Sequence, residues 1–316
     1  MIRLDDILGI TPFIELFIRG VYYSENKFIK KMIALVNLKH KHRRRQSSDN
    51  NIKNKVFDYI KRLGIRQGNI LIVHTSQENL ENAGINSIEL IKFLREIIGE
   101  KGTLVFPAYP LYNEKNFDSE NGLYIYNPKK AICLTGMIPN LFLRMPNVKR
   151  SIFPWNTLAA QGPDADKMME HNLETDLSYG PGSAWEYCYK KRAKILLLGV
   201  KSNHTTSMVH TAEDLMDDEW PIEGWYEKKK IYIDSDEMKG EITIRLRRMK
   251  WAKYNASWYR TLQLKKKGYL TETNICGLNI GFIKDSKEMV DYIIDRNYLR
   301  RGFFVVPKKY YKRMER

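Results

Sequence analysis

The sequence predicts an α/β fold, a three-layer α/β/α arrangement around a mixed central sheet, preceded by a helical N-terminal extension. Three observations point to it. Helix-periodic and strand-like runs alternate from Asn51 onward. The runs "ILIV" and "KILLLG" are apolar almost throughout, as strands buried on both faces are. A chain of 316 residues with 43% apolar and 12% aromatic side chains can bury a sizeable core.

Taken in order, residues 1–50 stand apart as the extension. Ile10, Phe13, Ile14, Phe17, Ile18 and Val21 recur at helical spacing. A basic run from Lys39 to Arg45 and the polar stretch Gln46–Asn50 then read as a linker. The extension reads as helices packed on the main body, with a membrane-surface or partner-binding helix as the alternative. A single domain is expected over 51–316. "NIKNKVFDYIKRLG" predicts a helix ending at Gly64, and "NILIVHTS" a buried strand. "SIELIKFLREIIGEKG" predicts an amphipathic helix capped by Ser87, and "GTLVFPAYP" a strand broken at Pro107. Further on, "AWEYCYKK" reads as a helix, "AKILLLGV" as a strand and "GEITIRLRRMKW" as an alternating strand. The helical "KEMVDYIIDR" follows late in the chain.

The net charge of +16 favours polyanionic partners: nucleic acid, anionic lipid or phosphate-bearing small molecules. Cys133, Cys188 and Cys276 lie far apart without CxxC spacing, so neither a disulfide framework nor a zinc site is expected. No apolar run is long enough to span a bilayer, and Asp5 and Asp6 stand where a secretion signal needs a basic start. A cytoplasmic location is therefore expected.

Two strand ends carry reactive side chains: His74-Thr75-Ser76, and the stretch from Asn203 through Thr205 and Thr206 to His210. In layered α/β proteins ligands bind outside the carboxyl ends of strands. A helix starting near Thr206 or Ser207 would place His210 and Glu213 on one face, three residues apart. A carboxylate beside an imidazole fixes its tautomer, as a general base requires. A polar pair without a catalytic role is the other reading of that spacing. Tyr179-Gly180-Pro181-Gly182-Ser183 forms a turn-rich loop opening a helix, either an anion site or a plain loop with Ser183 as cap. The chain lacks G-x-S-x-G, P-loop, G-x-G-x-x-G and H-E-x-x-H motifs, so no metal is expected.

Several stretches match one family in order. "LGIRQGNILIVHTS" carries its V-H-[ST]-S signature, and "GEKGTLVFPAY" its G-x-x-G-T-L-V-x-P strand. "RMPNVKRSIFPWNTLAAQGPDA" resembles R-x-P-x-x-x-R-S-x-H-P with the following A-x-G-P-x-A, and "SYGPGSAWEY" resembles G-x-G-S-P-W-E. "KILLLGV" with "NHTTSMVHTAED" resembles L-L-L-G-V and N-T-[ST]-x-H-x-A-E, with one residue inserted between the threonine pair and His210. From Asn51 to Asp214 the chain thus resembles the antibiotic N-acetyltransferases, whose best-known members acetylate the 3-amino group of aminoglycosides.

The resemblance implies direct transfer of an acyl group, acetyl as the first expectation, from acyl-coenzyme A to an amine. It implies His210 as base with Glu213 beside it and Thr206 assisting. It places His74, Thr75, Ser76, Thr205 and Ser183 toward the coenzyme. The family's H-P histidine is replaced by Phe153. Family members acting on polycationic antibiotics often carry acidic residues where this chain has Arg245, Arg247, Arg248 and Lys250. That cluster would repel a polycation and attract phosphate. The expected acceptor is therefore a nucleotide-linked amino sugar of surface-glycan synthesis, held by Arg245, Arg247, Tyr109 and Asn156. The alternatives are an aminoglycoside 3-N-acetyltransferase, and a non-catalytic basic protein binding nucleic acid or membrane. For the enzyme no nucleic-acid partner is expected, and a homodimer is compatible with the sequence.

Overall fold

The computed structural model describes residues 10–22, 50–299 and 301–312. The basic run Lys39–Arg45 and the linker residues Gln46–Asp49 lie outside the described residues, while Asn50 opens a helix. After the N-terminal helix α1 (Pro12–Tyr22), the elements are α2 (Asn50–Lys61), β1 (Ile70–Thr75), α3 (Gln77–Asn82), α4 (Ser87–Ile98) and β2 (Thr103–Pro107). Next come β3 (Phe117–Asp118), β4 (Leu123–Tyr126), α5 (Met137–Phe142), β5 (Lys149–Arg150), β6 (Leu158–Gln161), α6 (Ala165–Met169) and α7 (Ala184–Lys190). The chain continues through β7 (Lys194–Leu198), α8 (Ser202–Thr205), a 3₁₀ turn Ser207–His210, α9 (Thr211–Met216), β8 (Tyr226–Asp234) and β9 (Lys239–Arg247). A second 3₁₀ turn, Met249–Tyr254, leads to α10 (Ser257–Lys266), β10 (Thr271–Ile275), β11 (Leu278–Ile283) and α11 (Ser286–Tyr298).

Seven strands form a sheet in the order β10-β11-β7-β1-β2-β6-β5. The central β7, β1 and β2 are parallel and the flanking pairs antiparallel, so the sheet is mixed as the sequence predicts. Alternation along β1 divides the core. Leu71 and Val73 pack with Val56, Ile60 and Leu94 on one face, while Ile70 and Ile72 pack with Trp185, Met208, Val209 and Val290 on the other. These two apolar layers give the α/β/α sandwich.

A second, four-stranded sheet, β3-β4-β8-β9, was not expected from the sequence. Its buried face carries Tyr126, Ile231, Ile244 and Leu246. Phe153 packs into this cluster, where the family pattern has histidine. A polar ring there would need a partner in an apolar layer; phenylalanine needs none.

Three local expectations are corrected. The cap of α4 is Asn86, whose Oδ1 accepts from the Ile88 and Glu89 amides, while the Ser87 hydroxyl donates to Gln77. The strand "GEITIRLRRMKW" stops at Arg247, because the Arg248 amide turns back to the Trp225 carbonyl. The apolar face of the N-terminal helix does not pack on the body: Phe13 and Phe17 are 70% and 74% exposed. The body instead receives the polar side of α1, through the fully buried Glu15.

The exits of β1 and β7 are held together. The Ser76 amide donates to the Leu198 carbonyl, and the Asn79 side chain donates 2.6 Å to the Gly199 carbonyl. Gly199 is left-handed, with φ +70, and an added Cβ would stand 2.8 Å from Asn79 Cβ. Gly268 has a similar φ of +77 but opens onto empty space. Gly199→Ala should therefore cost about 2–4 kcal/mol of stability and Gly268→Ala about 1–2 kcal/mol, measured by urea unfolding. Equal losses would contradict the close-contact account.

Candidate active site

The parallel strands β1, β2 and β7 all deliver their carboxyl ends to one edge of the sheet, and the chain after β7 runs over it. The expected helix over Thr206–His210 divides in two. A short 3₁₀ turn ends at His210, and α9 starts at Thr211. Met208, Val209 and Ala212 anchor the pair of turns in the apolar layer, leaving the His210 side chain 23% exposed.

Glu213 is buried one turn along, and its Oε1 lies 2.8 Å from His210 Nδ1. Arg247 reaches in from the end of β9. Its Nη1 lies 3.1 Å from the same imidazole nitrogen and 3.5 Å from Glu213 Oε2. Nδ1 has either one hydrogen or one lone pair to offer. We assign the Nδ1–H tautomer. It satisfies the buried carboxylate and leaves Arg247 the second carboxylate oxygen. The opposite tautomer would face a lone pair against Oε1.

Burial pushes the His210 pKa down, against the raising pull of Glu213 and with the lowering push of Arg247. The ring is thus neutral at pH 7, with a bare Nε2 lone pair. Burial alone would raise Glu213, but His210 and Arg247 hold it below the usual carboxylate value. Arg260, itself buried, adds positive potential to Glu213.

Around this triad the structure gathers one expected residue, Tyr109, and two that the sequence assigned no part in the site, Tyr179 and Asp214. The Tyr179 ring lies 5.6 Å from the His210 ring, and its hydroxyl meets the Tyr109 hydroxyl at 3.0 Å. Tyr109 also bonds the Ser207 side chain. Burial raises the Tyr109 pKa to about 12, so both phenols stay protonated. Asp214 accepts from the Tyr179 amide and the Tyr226 hydroxyl, both at 2.9 Å. Burial, followed by repulsion from Glu213, raises its pKa to about 7. The only sequence signal for Asp214 and Tyr179 was their adjacency to Glu213 and to the glycine loop.

The other expected residues divide. His74 is buried on the same sheet face as Ile70 and Ile72, its pKa lowered to about 3 by burial, with Nε2 unpartnered. Thr75 follows it at the strand end, and the Ser76 side chain caps α3. Ser183 caps α7 through the Glu186 amide. Asn156, at φ +48, offers its carbonyl to Trp185, whose ring packs against Tyr179.

Thr205 and Thr206, expected toward the coenzyme and beside the base, have their hydroxyl hydrogens engaged. Each already donates to a backbone carbonyl, of Lys201 and Ser202, at 2.9 and 2.8 Å. A hydroxyl has one hydrogen to give. Arg245 is likewise committed, with bidentate bonds of 2.5–3.0 Å to Asp176 and Asp217. It lines an open cavity of about 430 Å³ together with Glu174, Asp176, Asp217 and Thr243. The two carboxylates outweigh the one guanidinium, so the cluster is net acidic. A larger cavity of about 710 Å³ lies elsewhere, against β5 and α6, and contains none of these residues.

Residues 72–296 match the sequence model of the aminoglycoside 3-N-acetyltransferases. The chain belongs to that family. Among curated relatives, aminoglycoside N(3)-acetyltransferase IV of Salmonella is 30% identical over 151 residues, 48% of this chain and 54% of that protein. Aminoglycoside N(3)-acetyltransferase IX of Micromonospora chalcea is 27% identical over 168 residues, 49% and 59% of the two chains. The match thus spans little more than half the length of these relatives. Solved structures share the fold. The AAC(3)-IVa apoenzyme superposes with a TM-score of 0.61 at 22% identity, over 81% of this chain and 92% of that one. AAC-IIIb in binary complex with CoASH gives 0.64 at 18% identity, over 79% and 97%. AAC-VIa bound to sisomicin gives 0.66 at 19% identity, over 78% and 97%.

The electrostatic roles assigned to the triad have opposite signs. Arg247→Met should raise the His210 pKa and Glu213→Gln should lower it, followed by NMR titration of the ring. No movement in either variant would contradict the assignment.

Proposed function

We propose that the chain transfers an acetyl group from acetyl-coenzyme A directly to an amino group of an aminoglycoside-like amino sugar. The observation that carries this reading is the 2.8 Å contact of His210 Nδ1 with buried Glu213, at the carboxyl edge of a family-matched sheet. An amine attacks a thioester carbonyl only through its free lone pair. Nε2 of His210 accepts the proton that the nitrogen sheds as the C–N bond forms; the C–S bond then breaks, and the departing coenzyme A thiolate takes that proton to leave as the free thiol. Glu213 fixes the ring and balances the imidazolium that results. Backbone N–H groups near the Ser207–His210 turn are left to stabilise the oxyanion, since the threonine hydroxyls are engaged. Holding both substrates at one edge supplies much of the acceleration.

The strand ends suit the donor. They offer Thr75 and the unpartnered Nε2 of His74, a polar atom in an otherwise apolar layer. For the acceptor, the nucleotide-linked sugar rested on the cluster of Arg245, Arg247, Arg248 and Lys250 being open to phosphate; Arg245 is engaged by Asp176 and Asp217 and Arg247 lies against Glu213, which weakens that support. The acidic cavity beside Arg245 favours cationic amino sugars instead, the class for which the relatives are named.

A thiol-release assay with acetyl-coenzyme A and a panel of aminoglycosides and nucleotide-linked amino sugars tests both halves. Aminoglycosides should be turned over, and His210→Ala should lower kcat by roughly 10²–10⁴. Near-normal turnover by His210→Ala would remove the base. Turnover of nucleotide-linked sugars alone would overturn the acceptor while leaving the transferase.

A further inference from the structure

A helix docking on a globular body normally turns its apolar stripe inward. In α1 the arrangement is reversed. At 3.6 residues per turn, Phe13, Phe17, Ile14 and Ile18 span an arc of roughly 140°, with Glu15 and Arg19 beyond it on the other side. The polar side is the one that docks. Glu15 accepts from the Trp258 and Tyr259 amides at 2.9 and 3.2 Å and from the Ser257 hydroxyl at 3.0 Å. It thereby caps the N-terminus of α10, where a carboxylate is favoured by the helix dipole. Arg19 pairs with Glu15 at 3.0 Å, donates to Ser257 and lies over the Trp258 ring. These bonds fix the rotation of the helix, so the apolar arc is held outward.

The turn that α1 packs against is also exposed, apolar and basic. α1 packs against the Met249–Tyr254 turn, where Met249 is 78% exposed and Lys250 and Lys253 are also exposed. The outward arc of α1 thus carries exposed phenylalanine and isoleucine, and the turn it packs against carries exposed methionine and lysines, on a chain of net charge +16. Among the described residues no helix is long and apolar enough to cross a membrane. A short helix with an aromatic face and basic neighbours suits the headgroup region instead, where the rings enter the acyl boundary and the lysines meet lipid phosphates.

We propose that the outward face of α1, with Met249, Lys250 and Lys253, docks the protein on an anionic lipid surface. The charge complementarity favours lipid over an apolar protein groove, and the site is separate from the His210 edge in both chemistry and residues.

The test is co-sedimentation of the full chain with vesicles of phosphatidylcholine alone and of phosphatidylcholine mixed with phosphatidylglycerol. The wild-type chain should pellet with the anionic vesicles, poorly with the neutral ones, and less as salt rises. Phe13→Ser with Phe17→Ser should lower the partition coefficient at least about tenfold, since both rings lose burial in the acyl boundary. Lys250→Glu with Lys253→Glu should lower it as well. An unchanged thermal melt shows that both double variants fold. Failure of the wild-type chain to pellet with anionic vesicles overturns the proposal. So does equal pelleting of the phenylalanine variant, which would mean general charge attraction alone. A concentration-dependent dimer that the phenylalanine variant abolishes, without vesicle binding, would assign the face to a second copy and also overturn it.

Discussion

Glu213 is 4% exposed, and a carboxylate that far from water must be matched or neutralised. The site is arranged around that requirement. His210 supplies a hydrogen to one oxygen, Arg247 approaches the other, and Arg260 adds a cation behind them. Each of the three comes from a different element: the 3₁₀ turn before α9, the end of β9, and α10. Meeting one buried charge therefore ties the second sheet and the C-terminal helices to the carboxyl edge of the central sheet. The next carboxylate, Asp214, accepts only from the Tyr179 amide and the Tyr226 hydroxyl, and burial, followed by repulsion from Glu213, raises its pKa to about 7. Two adjacent buried acids thus shift in opposite directions, because His210, Arg247 and Arg260 offset the burial of Glu213 and no comparable set offsets that of Asp214.

Aromatic packing supports this edge from behind. Trp220, Trp225 and Trp251 form a cluster with Met216 and Phe304 beneath the end of α9. Trp225 stacks on Trp251 at 5.6 Å and meets Phe304 edge-on at 4.7 Å. Rings of this size fill a volume that shorter side chains would leave open, and close packing limits how far the turn carrying His210 can drift. Arg247 also stands over the Phe304 ring, at 5.6 Å. The guanidinium is thus positioned by an apolar surface as well as by Glu213.

Much of the fold was legible in the sequence because it rests on local patterns. The apolar runs of β1, β2 and β7, and the helical periods of α4 and α11, identify themselves by spacing alone. The His210–Glu213 pair was legible for the same reason, being three residues apart on one turn. What the sequence hid were relations between distant segments. That Arg245 faces Asp176 and Asp217 depends on β9 lying beside the loop at 174–177, and no periodicity encodes it. Arg245 and Arg247 share one face of β9, two residues apart. Their neighbours, rather than their own positions, decide that one is a structural clamp and the other lies against the base. The outward turn of α1 was hidden likewise, because an amphipathic pattern states that a helix has two faces without stating which face meets the body. Glu15 decides it through bonds to residues more than two hundred positions away.

The central claim is that the Glu213 carboxylate holds His210 in the Nδ1–H tautomer, leaving Nε2 free to take a proton. Imidazole ¹⁵N chemical shifts of the His210 ring at neutral pH test this most directly. The account predicts a pyrrole-type, protonated Nδ1 and a pyridine-type, bare Nε2. A bare Nδ1 with a protonated Nε2, or an imidazolium with both nitrogens protonated, would contradict it.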